Sequence, residues 1–98
     1  MDKQQYYIFR AKEAGVFFGK IKEKNGDEVT ISDCRRIWYW NGAASISQIA
    51  MEGVKDQRTS KFTVIVPEMT VLGVIEIIPC TDAAVANIME VPVWRMER

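Results

Sequence analysis

Histidine is absent from the 98 residues, which removes the usual general base, the usual member of a hydrolytic triad and the commonest zinc ligand. An excess of either charge is also missing, since Lys plus Arg and Asp plus Glu both number 13. Bulk attraction to a phosphate backbone is thereby excluded, and a local basic patch is the only electrostatic route to an anion. Cysteine is limited to Cys34 and Cys80, far apart and in no metal-ligand spacing. They read as two reduced thiols of a cytoplasmic chain, not as a disulfide framework. No long hydrophobic run is present either. The least charged stretch, Met69 to Ala86, is broken by Gly73, Glu76, Pro79 and Asp82, which a membrane-spanning helix would not tolerate. The start Met1-Asp2-Lys3-Gln4-Gln5 is polar and offers no signal-peptide core. Carboxylates at Glu13, Asp33, Glu52, Glu68, Glu76 and Glu90 form no pair with assignable acid and base roles, and Ser45 and Ser47 have no histidine to activate them. These absences point away from an enzyme, a metal site and a cofactor, and predict a cytoplasmic, non-membrane protein.

What is present is an ordinary globular composition, 48% apolar, 10% aromatic and 27% charged, enough for a single domain over residues 1–98. Alternating apolar residues predict strands over Gln5 to Ala11, Val16 to Glu23, and Val29 through Trp40 with an irregularity at Ser32-Asp33. Asn25-Gly26 marks a hairpin. A two-residue Asn-Gly loop would mix apolar and polar residues on both faces, so a three-residue loop of Lys24, Asn25 and Gly26 is expected, pairing Ile21 with Val29 and Lys22 with Glu28. Ser45-Ile46-Ser47-Gln48 has the form of a capping box, opening a helix that Gly53 stops. A polar loop over Val54 to Ser60 leads to a fourth strand, Lys61 to Val66, which Pro67-Glu68 is expected to break. A fifth, nearly all-apolar strand covers Thr70 to Ile78. Thr81-Asp82 caps a second helix to about Glu90, with Val85, Ile88 and Met89 as its buried side, and Pro92 leaves the tail Val91 to Trp94 extended. The fold class is α+β: a small bent antiparallel sheet or Src-homology-3-like (SH3-like) open barrel of about five strands with two short helices, one of them between the third and fourth strands. The apolar fifth strand and the small sheet further predict a homo-oligomer.

The chemistry concentrates at the end of the third strand. Trp38 and Trp40 share a strand face and suit stacking on a planar base, and Arg36 on that face supplies charge. Asn41, Gly42, Ala43, Ala44 and Ser45 lead into a helix N-terminus, whose free N–H groups and dipole favour a phosphate or carboxylate. The alternative assignment of these aromatics is ordinary core. The alternating Lys20, Lys22 and Lys24 read as a solvated strand face flanked by Glu23, Asp27 and Glu28. Glu76, inside an apolar strand, is expected to pair with an arginine across the sheet or a subunit boundary.

The run Arg36-Ile37-Trp38-Tyr39-Trp40-Asn41-Gly42-Ala43-Ala44-Ser45, with Glu76-Ile77-Ile78-Pro79-Cys80-Thr81 and Val91-Pro92-Val93-Trp94, resembles a family of small phage and prophage proteins of unknown function. The resemblance implies viral origin and a bacterial host cytoplasm, and supplies no catalytic residues. By analogy with small phage accessory proteins, the expected function is non-enzymatic counter-defence: a homo-oligomeric binder that sequesters a small anionic, nucleotide-type immune signal. The alternatives are an interaction module that inhibits a host defence protein, and a small virion or morphogenesis component. Neither membrane nor bulk nucleic-acid binding is expected.

Overall fold

A computed structural model describes residues 5–97. The polar start Met1 to Gln4, read above as lacking an export signal, lies outside the described residues. The elements run β1 (Tyr7–Ala11), β2 (Gly15–Asn25), β3 (Glu28–Tyr39), α1 (Ile46–Glu52), β4 (Lys61–Val71), β5 (Val74–Pro79) and α2 (Asp82–Glu90). The five strands form one antiparallel sheet in the order β4-β3-β2-β1-β5. β4 and β5 follow one another in the chain yet occupy opposite edges. Only Leu72-Gly73 separates them, so the sheet curls until its two edges meet at that corner. There the Lys12 N–H donates to the Gly73 carbonyl at 2.8 Å and the Val74 N–H to the Asp27 carbonyl at 2.9 Å. The sheet stays open and is not a closed barrel, because β4 and β5 do not pair.

Both faces of this sheet are buried. Ile8, Phe18, Ile37 and Phe62 face the helices and pack with Ile49, Ala50, Ala84 and Ile88. Their strand neighbours Phe9, Phe17, Val29, Ile31 and Cys34 face the inside of the curl and meet Val71 and Val74 there. Strict alternation along β1 and β2 serves two cores at once, which explains runs such as Tyr6 to Phe9 and Val16 to Phe18 with no polar side. Cys34 and Cys80 are buried free thiols in different clusters, and burial pushes both up to about 12. Glu76 pairs with Arg10 across β1 and β5.

Three expectations need correction. The β2–β3 loop is Gly26-Asp27, with Asn25 opposite Glu28 and Lys24 opposite Val29. Gly26 has φ +62° and Asp27 is not in the positive region, the pattern of a type II′ turn. The two-residue loop weighed from the sequence was Asn25-Gly26; the loop lies one residue later, and a bulge at Lys22 brings Ile21 opposite Ile31. Secondly, Pro67 does not end β4, which runs on to Val71. β4 is an edge strand paired on one side only, where a proline whose nitrogen faces outward forfeits no ladder bond. The predicted fifth strand is therefore the end of β4, a turn with Gly73 at φ +74°, and β5. Its apolar residues mostly serve the two internal cores. Leu72 and Ile75 remain exposed. Thirdly, α2 buries Ala84 and Ile88, with Val85 half-buried, while Met89 is exposed.

The expected irregularity at Ser32-Asp33 is present: Asp33 has φ +50° and the β2–β3 register shifts opposite Gly19. A Cβ on Gly19 would lie 2.4 Å from Ile31 Cγ2 and 2.9 Å from the Ser32 carbonyl oxygen, so this position requires glycine. Helix caps follow the sequence reading, with Ser45 and Thr81 as N-caps.

Candidate ligand-binding site

β3 emerges from the sheet at Trp38 and Tyr39, both exposed. Trp38, 62% exposed, stacks on Trp94 with ring centroids 6.1 Å apart and planes 12° apart. Its neighbour across the stack is thus Trp94. Trp40 is half-buried against the helical core and donates its indole N–H to the Ala43 carbonyl. Arg36 lies 4.7 Å over the Phe17 ring and donates one guanidinium N–H to the Ala14 carbonyl at 2.8 Å. Arg36, Trp38 and Trp40 do line one cleft, of about 270 Å³, with Ile37 and the turn Glu13 to Val16.

The segment from Asn41 to Ser45 is engaged in holding the chain together. Asn41 donates its backbone N–H to Ser60 Oγ and its side-chain amide to Thr59 Oγ1. Gly42, at φ +91°, backs onto Lys55 and Asp56, and a Cβ there would lie 2.6 Å from the Asp56 nitrogen. Ala43 packs on the helical core. The Ala44 N–H donates to Gln48 Oε1 at 2.7 Å, and Ser45 Oγ accepts the Gln48 N–H. Two of the donors expected to hold a phosphate are therefore used by the cap itself, and α1 has only seven residues.

A second cleft, of about 380 Å³, has Trp94 as a wall where the first has Trp38. It is lined by Arg58, Thr59, Ser60, Lys61, Pro92, Val93 and Trp94. No carboxylate is among them. Lys61 Nζ sits 5.4 Å from the Trp94 centroid and 5.9 Å from that of Tyr39. Among the described residues the ion pairs are Arg10–Glu76, Lys20–Asp33 and Lys22–Glu68, so the strand lysines are partly neutralised while Arg58, Lys61 and Arg36 are not. Neighbouring groups fix the cleft's loop wall: the buried Ser60 hydroxyl donates to the Asp56 carbonyl, and the Thr59 N–H donates to Asp56 Oδ1.

The other wall is the C-terminal segment, and a buried arginine holds it. Arg35, 1% exposed, donates to the carbonyls of Thr63, Ile88 and Val91 at 2.8, 2.7 and 2.6 Å and lies over the Phe62 ring. Two of these carbonyls belong to the C-terminal end of α2, where the helix dipole favours a cation. Burial lowers the pKa of Arg35. From Val91 the chain runs to Val93, which bridges Phe62 in parallel, and the Trp94 N–H donates to the Phe62 carbonyl at 2.9 Å. Trp94 thereby reaches Trp38. Sequence reasoning singled out neither Arg35, Arg58 and Lys61 nor Trp94 as a site residue; the only signal was an aromatic following Pro92.

Among the described residues, no group of His, Cys, Asp or Glu is arranged to hold a metal ion, and no helix is long and apolar enough to cross a membrane. Neither a curated protein nor a solved structure matches the chain. A family model, described as a domain of unknown function, matches residues 4–88, which takes in the sheet, α1, the β3 end and most of α2. With most of its length matched, the chain belongs to the DUF6948 family.

Proposed function

We propose that this protein is a non-enzymatic binder of an anionic, nucleotide-type ligand, with the phosphate held by Arg58 and Lys61 and the base stacked on the Trp38–Trp94 pair. One observation carries the reading: a cleft holding two cations that make no ion pair among the described residues, and no carboxylate, has as its wall a tryptophan nearly parallel to a second, exposed tryptophan. Base stacking on exposed aromatics is worth about 1–3 kcal/mol per base and needs no general base or metal. A phosphate beside unpaired cations gains charge-assisted hydrogen bonds. In the phage or prophage setting that the sequence resemblance implies, such capture removes a host nucleotide signal from circulation.

Titration calorimetry with adenine and uracil mononucleotides tests it. Lys61→Glu is expected to weaken binding at least tenfold and Trp38→Ala by about 1–3 kcal/mol, with Lys22→Ala unchanged. Absence of binding at millimolar concentration, or binding insensitive to Lys61→Glu, refutes the reading. The exposed Trp38, Tyr39 and Trp94 would then favour the interaction module, since tryptophan, tyrosine and arginine dominate protein interface hot spots.

A further inference from the structure

We infer that the site is bipartite and takes two phosphodiester-linked nucleotides, one in each cleft flanking the tryptophan stack. This rests on the proposed nucleotide-binding reading. Trp94 walls the 380 Å³ cleft, Trp38 walls the 270 Å³ cleft, and the two rings lie against each other. The clefts are therefore the two sides of one aromatic ridge. Each holds its own cation: Arg58 and Lys61 on one side, Arg36 on the other.

Arg36 is placed for such a role. Its guanidinium is held by the Ala14 carbonyl and the Phe17 ring, it makes no ion pair among the described residues, and its remaining N–H groups stay available as donors. A single nucleotide engages one cleft. Two linked nucleotides engage both without a second loss of translational freedom, which raises affinity by effective concentration. Glu13 also lines the smaller cleft and is the one carboxylate on either side. It opposes a second phosphate, so the anion on that side depends on Arg36.

Calorimetry on the full chain compares AMP and UMP with the linear dinucleotides pApA and pUpU and with cyclic di-AMP. At least one dinucleotide is expected to bind tenfold or more tighter than its mononucleotide. Arg36→Ala is expected to abolish that advantage, and Glu13→Gln to tighten the dinucleotide. Arg36→Gln, which retains a donor for the Ala14 carbonyl, replaces Arg36→Ala if the latter lowers the melting temperature. A tighter cyclic ligand assigns a free cyclic dinucleotide, and a tighter linear ligand assigns a strand segment; both support the bipartite site. Dinucleotides bound no tighter than mononucleotides, or an advantage that survives both Arg36 variants, overturn the bipartite site while the single-cleft reading stands. Failure of every ligand to bind removes both.

Discussion

Replacing Arg35 with methionine removes a buried cation and leaves its carbonyl partners to find others. Of the three, the Ile88 oxygen keeps the Val91 N–H at 3.3 Å, whereas those of Thr63 and Val91 lose their guanidinium donors. A buried polar group left unsatisfied costs roughly 1–3 kcal/mol, so two such groups put the gross loss at about 2–6 kcal/mol. Against this stands relief of the desolvation of the guanidinium, which its three carbonyl partners and the Phe62 ring already offset in part, so that it returns up to about half of the gross loss. Because the carbonyls are dipoles and not a carboxylate, no net anion is stranded, and the balance is expected at about 2–3 kcal/mol of destabilisation. For a domain of this size each kcal/mol shifts Tm by about 4–8 °C, so thermal unfolding is expected roughly 10–20 °C lower. The lysine variant adds a sign test. A lysine at this place has its pKa depressed by burial, so the unfolded chain binds more protons, and stability rises with pH towards the ordinary lysine value near 10.4. Thermal melts of wild type, Arg35→Met and Arg35→Lys between pH 7 and pH 9.5 measure both effects. A methionine variant within about 0.5 kcal/mol of wild type would refute the view that this guanidinium contributes net stability at the α2 terminus.

Alkylation of the denatured but unreduced protein is expected to give two adducts by intact mass, since Cys34 and Cys80 are free. Because burial raises both thiols to about 12, their contribution to stability is complete below the unfolded thiol pKa of about 8.5 and is lost as pH rises through about 12; urea midpoints read at pH 8 and pH 10.5 should fall. Gly19→Ala is expected to destabilise by about 2 kcal/mol or more, the scale of overpacking and backbone shift, because its Cβ would overlap Ile31 and the Ser32 carbonyl; a Tm change under 2 °C would show that the β3 bulge yields freely.

The small bent sheet with a helix between its third and fourth strands was legible because turn residues and alternation are local properties. Ser45 with Gln48, Thr81, Gly26 and the Ser32-Asp33 irregularity all act within a few residues of themselves. Pro67 misled for a non-local reason. Whether a proline breaks a strand depends on whether that strand lies at an edge, and β4 becomes an edge only when β5 returns to the far side of β1. The hairpin misled similarly, since the turn falls one residue beyond Asn25-Gly26 and a bulge at Lys22, which alternation alone does not reveal, brings Ile21 opposite Ile31.

Adjacent residues Arg35 and Arg36 show where the candidate site ceased to be legible. Alternation along a strand places them on opposite faces, and that much is contained in their positions. Which face the helices cover is decided by α1 and α2 docking on Ile37 and Phe18, so Arg35 is enclosed with Ile37 while Arg36 opens with Trp38 into a cleft. Had the helices docked on the other face, the buried clamp and the cleft-lining cation would exchange places. The same holds for Trp94, whose position depends on Val91, and Val91 on Arg35. The buried arginine thus sets one wall of a cleft while its neighbour lines another, and an identical pair of side chains takes opposite places through strand parity and helix docking alone.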